Sequence, residues 1–309
     1  MKKKTTSNNK PYVSVVIVGR NDGYGDDFVG RINTFVRSLD HQTAGYPGVF
    51  ELIVVEWNPL DGYAPLADVV DDTHHLPVRV VTVSAELHNT IGTEHPVLEF
   101  HGKNVGIRRA RGEFVLVTNP DIIFTQELID EIAKQRLRAD TVYRTDRYDF
   151  HTEGICDVDS KDLQDFAVKN TFVVHAMADA TSVSEPVHEN ERTLDLLPRS
   201  GIAADAWHTN GCGDFMLAAR EVFFTVRGMY ETIQHRWHVD SISLMRFGSA
   251  QIKQQVWVSP LCVFHQHHDR RPQDVAFGSL DIKGLAAQPG TTDWGFKDQD
   301  LPEIIKDIK

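Results

Sequence analysis

Four stretches of the chain are apolar with little polar interruption: Tyr12 to Val18, Glu51 to Pro59, Val78 to Val83 and Phe114 to Val117. Runs of this length and composition suit strands of a parallel sheet covered on both faces. Three of them leave through polar corners, at Gly19-Arg20-Asn21-Asp22-Gly23, Glu56-Trp57-Asn58-Pro59 and Thr118-Asn119-Pro120-Asp121. Between the first two, Phe28, Ile32, Phe35, Val36 and Leu39 recur at helical spacing and predict an amphipathic helix over the sheet. A short helix closing at Val69-Val70-Asp71-Asp72 precedes the third strand. Residues 84–102 read as an irregular excursion and Lys103 to Gly112 as a turn opening a helix. Past the fourth strand, Thr125 caps a helix with Leu128, Ile129, Ile132 and Ala133 on one face. Thr141 to Asp149 reads as one strand with a charged end, and Thr171 to His175 as another. The polar, acidic stretch through Leu194 predicts nothing definite. The tail after Arg271 is polar and rich in Gly and Pro, and Leu301 to Ile308 predicts a peripheral helix.

With 309 residues there is room for one large α/β domain or two smaller ones. A net charge of −12 argues against broad nucleic-acid binding, which needs a basic footprint. Cys156, Cys212 and Cys262 are scattered and form neither a disulfide framework nor a thiolate zinc motif, which favours a reducing, cytoplasmic setting. Residues 1–11 are basic without a following apolar core and predict a disordered leader. No run is long enough for a membrane span.

Ligands of open α/β sheets sit beyond the carboxyl ends of the strands. Asn119 and Asp121, two apart at such an end, can aim oxygens at one hard cation such as Mn²⁺ or Mg²⁺. Asn, Pro and Asp are also ordinary turn residues, so the corner alone leaves both readings open. Gly23-Tyr24-Gly25 lacks the third glycine of a dinucleotide fingerprint, Phe28 standing in its place. Near the end, His265 and His267 would share one side of a strand. They could join that cation or a zinc site, although no His-Glu-x-x-His partner accompanies them.

Asn104-x-Gly106-Ile107-x-x-Ala110-x-Gly112-Glu113-Phe114, then a hydrophobic strand and Asn119-Pro120-Asp121, resembles the nucleotide-sugar core of inverting GT-A glycosyltransferases of the family 2 type. Asn-Pro-Asp stands where Asp-x-Asp is usual. The resemblance covers roughly residues 12–125 and, in part, 210–268. It implies a Rossmann-like α/β fold with a mostly parallel central sheet. Gly19, Arg20, Asn21, Asp22, Glu56, Lys103, Asn104, Gly106, Arg108 and Asn119 would then line the donor nucleotide. Gly213 and Asp214 would face the sugar or acceptor. Asp121 would hold the metal, with His265 as added ligand and His267 second to it. Aligning Arg246 places Asp240 at the catalytic base, although Val239 and Ile242 replace its acidic neighbours. Asp240 could instead be only a helix cap.

The implied organisation is a domain over 12–272, with a donor half (12–125) and an acceptor half (126–272), followed by a tail over 273–309. The implied activity is metal-dependent transfer of a sugar from a nucleoside-diphosphate donor to a glycan or other hydroxyl acceptor, as in polysaccharide biosynthesis. Inversion would follow from Asp240 as base. A silent sugar- or nucleotide-binding protein and a nucleotidyltransferase are the rival readings.

Overall fold

The computed structural model describes residues 10–175, 180–182, 207–233, 238–268 and 281–309. The leader expected over 1–11 lies almost wholly outside these, as does the acidic stretch through Leu194. The first part runs β1 (Val13–Gly19), α1 (Phe28–Thr43), β2 (Phe50–Trp57), α2 (Leu66–Val69), β3 (Val78–Val83), α3 (Ala85–Asn89), α4 (Glu99–Arg109) and β4 (Phe114–Val117). The middle runs β5 (Ile122–Phe124), α5 (Gln126–Ala133), β6 (Thr141–Thr145), β7 (Arg147–Phe150), α6 (Leu163–Lys169), β8 (Thr171–His175) and β9 (Ala180–Ser182). The last part runs β10 (Met216–Ala219), α7 (Arg220–Thr225), α8 (Val239–Ser249), β11 (Lys253–Trp257), β12 (Val263–Gln266), α9 (Ile282–Ala287) and β13 (Glu303–Lys306).

The protein is a mixed α/β fold around an eight-stranded sheet, ordered β11-β6-β10-β4-β1-β2-β3-β13. Only β10 and β13 run against the other six. β1 lies between β2 and β4, with Val13 level with both Phe50 and Phe114, and all seven of its residues are buried. The unbroken apolar runs are explained by that burial on two faces. At the amino ends of these strands a polar plug replaces apolar packing. The Ser14 hydroxyl donates to Glu51 at 2.5 Å, Arg79 pairs with Glu51 at 3.1 Å, and Glu303 of β13 pairs with Arg79 at 3.1 Å. That leaves the carboxyl ends for ligand chemistry.

A second sheet, β5-β12-β7-β8-β9, carries its own core of Ile123, Tyr148, Phe150, Val174 and Phe264 with Leu163 of α6. The chain crosses from the large sheet to this one three times, through Thr118 to Asp121 after β4, through Asp146 after β6 and through Val258 to Cys262 after β11. The seam between the sheets therefore carries Asp121 and Arg147. β12 runs along it, with His265 level with Ile122 on one side and Asp149 on the other.

Four expectations are corrected. Residues 84–102 hold α3 and the start of α4 rather than an irregular excursion. Helix α4 begins at Glu99, so Lys103 to Gly106 occupy its middle and not its start. Thr141 to Asp149 is two strands in two sheets. Leu301 to Ile308 contains strand β13, because the open edge of β3 offers backbone partners that an isolated helix would lack. Among the described residues no helix is long and apolar enough to cross a membrane.

Candidate functional site

A cleft of about 410 Å³ opens at the carboxyl ends of β1 and β4 and along the seam. Its walls are Gly19, Arg20 and Asp22 after β1, residues 95–101 before and within α4, and the Asn119-Pro120-Asp121 corner. Arg147, Asp214, His265 and His268 close the far side.

Asp121, His265 and His268 converge there, one potential ligand atom from each lying within 4.8 Å of the others. Asp121 Oδ2 is 3.2 Å from His268 Nε2 and 3.6 Å from His265 Nε2. Its other oxygen, Oδ1, is buried with no hydrogen-bond partner among the described residues. Burial alone would raise the Asp121 carboxyl, but His265, His268 and Arg31 outweigh it and hold the group down at about 2. His265 moves the other way. Burial pulls its imidazole down, and Asp121 and Asp149 more than offset that. With Nε2 toward Asp121 and Nδ1 3.5 Å from Asp149 Oδ1, its ring is oriented by a carboxylate on each side.

Behind the histidine runs a chain of charge pairs. Arg147 contacts Asp149 at 2.8 Å and Asp214 at 2.6 Å, and Asn119 Nδ2 donates to Asp214 Oδ1 at 2.7 Å. His175 adds a contact to Asp149 at 3.2 Å. Asp149 is buried, which opposes its charge, yet His175, His265 and Arg147 hold it well below the usual carboxylate range. The whole group is a fixed electrostatic frame for the Asp121 corner.

Of the residues expected to bind donor, Gly19, Arg20, Asp22 and Asn119 line this cleft. Arg20 pairs with Asp22 at 2.7 Å and donates to the Pro96 carbonyl at 3.3 Å, tying the β1 loop to the opposite wall. Asn21 does not line it and donates to the Ala64 carbonyl. Glu56 is also absent. Its side chain is buried against the Leu66 N–H at 2.7 Å and the Thr82 hydroxyl at 3.2 Å, fastening the start of α2 to the sheet.

The α4 block lies elsewhere. Lys103 is fully buried, paired with Glu99 and donating to the Gly213 carbonyl at 3.0 Å. Asn104 donates to the Met229 carbonyl and to Glu231 while its oxygen accepts the Met229 N–H at 2.7 Å. Gly106 lets the helix lie on β1, for a Cβ there would stand 2.3 Å from Val16 Cγ1. Arg108 stacks on the Trp294 ring, 3.9 Å from its centroid, in the C-terminal segment. None of these four lines the cleft.

Asp214 lines the cleft but Gly213 and Asp240 do not. Asp240 sits in the first turn of α8, where His238 is the cap, and accepts the Gly213 N–H at 3.1 Å. Lys103 and Asp240 thus grip the two ends of one peptide unit region around Gly213 and set the turn that presents Asp214.

No protein-family model matches this chain, and no curated protein sequence does. Among solved structures it is similar to S. aureus TarS 1-349, at 12% identity and a TM-score of 0.44, over 82% of this chain and 60% of that one. The complex of TarS 1-349 with UDP-GlcNAc gives 12% identity and 0.44 over 89% and 64%. A longer TarS structure gives 14% and 0.44 over 82% and 36%. The chain spans about 60% of the length of the first of these.

His268, Arg31 and Arg147 line the cleft and Asp149 stands behind His265, although no sequence signal singles them out. Strand alternation favours His267 beside His265, but β12 ends at Gln266, so the chain turns and brings back His268. His267 instead packs edge-on to Phe172 and His151 on the outer side. Asp149 and Arg147 could have been found only by knowing that Asp146 ends one sheet and begins another.

Proposed function

We propose that the cleft binds a nucleoside-diphosphate sugar together with a divalent cation and transfers the sugar to a hydroxyl acceptor. One observation carries the reading: on the floor of a cleft at the carboxyl ends of parallel strands, Asp121 meets two imidazoles through Oδ2 while its buried Oδ1 has no partner among the described residues. Buried polar atoms are almost always paired, so an orphan beside two further ligand atoms fits a cation. Asp121, His265 and His268 would hold it, and three protein donors leave positions open for a ligand. Two imidazoles and one carboxylate suit Mn²⁺ better than Mg²⁺, which prefers oxygen throughout. When bound, the cation would neutralise charge on the departing diphosphate.

The chain's own residues do the rest. Asp149 orients His265, Arg147 ties Asp149 to Asp214, and Asn119 fixes Asp214 from the metal corner. Asp240 acts on the site through the Gly213 turn. The silent-binder reading draws on a specific observation. The carboxylates lining the cleft, apart from Asp121, are engaged: Asp22 with Arg20, Glu99 with Lys103, and Asp214 with Arg147 and Asn119.

The test is thermal shift with nucleoside-diphosphate sugars, with and without Mn²⁺, followed by assay of nucleoside diphosphate release. Selective stabilisation by one donor, dependent on Mn²⁺ and lost in Asp121→Asn, is expected. Stabilisation without release over a broad acceptor panel would favour the silent binder. Pyrophosphate release from a nucleoside triphosphate would favour a nucleotidyltransferase.

A further inference from the structure

We propose that Arg31 is the second cation of this cleft and binds the donor diphosphate beside the metal, an inference that rests on the reading above. Arg31 stands near the start of α1, 7% exposed, and its side chain lines the cleft. Nη1 donates to the Gly25 carbonyl at 2.5 Å and Nη2 to the Tyr24 carbonyl at 2.6 Å. Both acceptors are neutral. Arg20 and Arg147, the other arginines of the cleft, each have a carboxylate in contact. Arg31 has none within ion-pair distance among the described residues, so its charge is held in place without being cancelled. A guanidinium carries five N–H donors, more than these two bonds use, and its fork matches phosphate oxygens.

Arg31 also lies against the metal corner. A Cβ built on Gly25 would stand 2.8 Å from Arg31 Nη2 and 2.8 Å from His268 Nδ1, so both groups border the same small space. His268 in turn contacts Asp121. The backbone is locked in the same register, for Gln266 Nε2, next to His265, donates to the Arg31 carbonyl at 3.1 Å. A diphosphate with one oxygen on the cation would bring its neighbouring oxygens to this guanidinium, as charge-assisted hydrogen bonds require. The competing role is structural: Arg31 would merely tether the Tyr24–Gly25 turn and hold His268 in place.

Calorimetric titration of the whole chain with Mn²⁺ alone, then with inorganic pyrophosphate at saturating Mn²⁺, separates the two. For Arg31→Gln, whose amide can keep part of the tether, Mn²⁺ affinity should stay within about twofold of wild type. Pyrophosphate affinity should fall about 10–100-fold, the scale of hydrogen bonds between charged groups. Arg31→Lys, which keeps the charge and loses the fork, should show a smaller loss of pyrophosphate affinity. Unchanged pyrophosphate affinity in Arg31→Gln overturns the proposal. So does a parallel loss of Mn²⁺ affinity, which would mark Arg31 as a tether. If wild type bound no Mn²⁺, the metal reading itself would fall. Pyrophosphate titrated alone would then still decide, a drop in Arg31→Gln supporting an anion site and no drop refuting it.

Discussion

The Asp121 corner and the α4 block both gather polar side chains into the interior, and they differ in how those side chains are satisfied. In α4, Lys103, Asn104 and Arg108 each find protein partners: Glu99 and the Gly213 carbonyl, Met229 and Glu231, Trp294. At the corner, Asp121 keeps a buried oxygen with none among the described residues. A polar group whose bonding is complete within the fold holds the fold together. One left incomplete beside other ligand atoms is where an outside group is accommodated. The two regions looked alike as sequence because both place polar residues among apolar ones near a strand of the same sheet.

Substitutions can break that contrast. The largest effect is expected for Asp121→Asn, which should lower Mn²⁺ affinity more than about 100-fold, beyond the usual loss for an outer partner of a metal ligand. Titration followed by Mn²⁺ electron paramagnetic resonance measures it, and near-normal binding would remove the metal site. Asn104→Ala should do the reverse. Losing three buried hydrogen bonds should cost about 2–4 kcal/mol in urea unfolding, with Mn²⁺ affinity unchanged. Asp149→Asn tests the frame behind His265 and should weaken Mn²⁺ about 10–100-fold.

Gly106→Ala forces a methyl group against Val16 and should cost about 1–3 kcal/mol. Combining it with Val16→Ala should cost less than the sum of the two single changes, because both act on one contact. Additive losses would mean that α4 does not need its close approach to β1. The smallest effect concerns His101, which belongs to α4 yet lines the cleft. Burial and then His88 lower its pKa to about 4. The unfolded imidazole takes a proton near 6.5, so stability is fully present above that pH and declines as pH falls toward 4. Between pH 7 and pH 5 the loss should be about 1–2 kcal/mol, read from urea midpoints, and His101→Gln should flatten it.

The stretch from Asn104 to Asp121 contains one corner that lines the cleft and several polar residues that the fold uses otherwise. Asn119, Asp121 and Asp214 stand together because they lie in turns beside strand ends at the seam, where β12 carries His265. Strand ends are legible from where an apolar run stops. Glu56 and Asn21 also stand at a strand exit, but their side chains turn to Leu66, Thr82 and Ala64. Which way a polar side chain turns at such an exit depends on what packs above it, and that comes from distant parts of the chain.

The order of apolar and polar residues by itself determined the parallel strands β1 to β4, the amphipathic face of α1 and the polar corner at Asp121, since these follow from burial and local spacing. Tertiary structure alone decided that His268 rather than His267 meets Asp121, that Arg31 shares the cleft, and that Lys103 and Asp240 support the Gly213 turn from behind. Each of these depends on two segments far apart in sequence meeting at the seam between two sheets. A one-dimensional period carries no information about such a meeting.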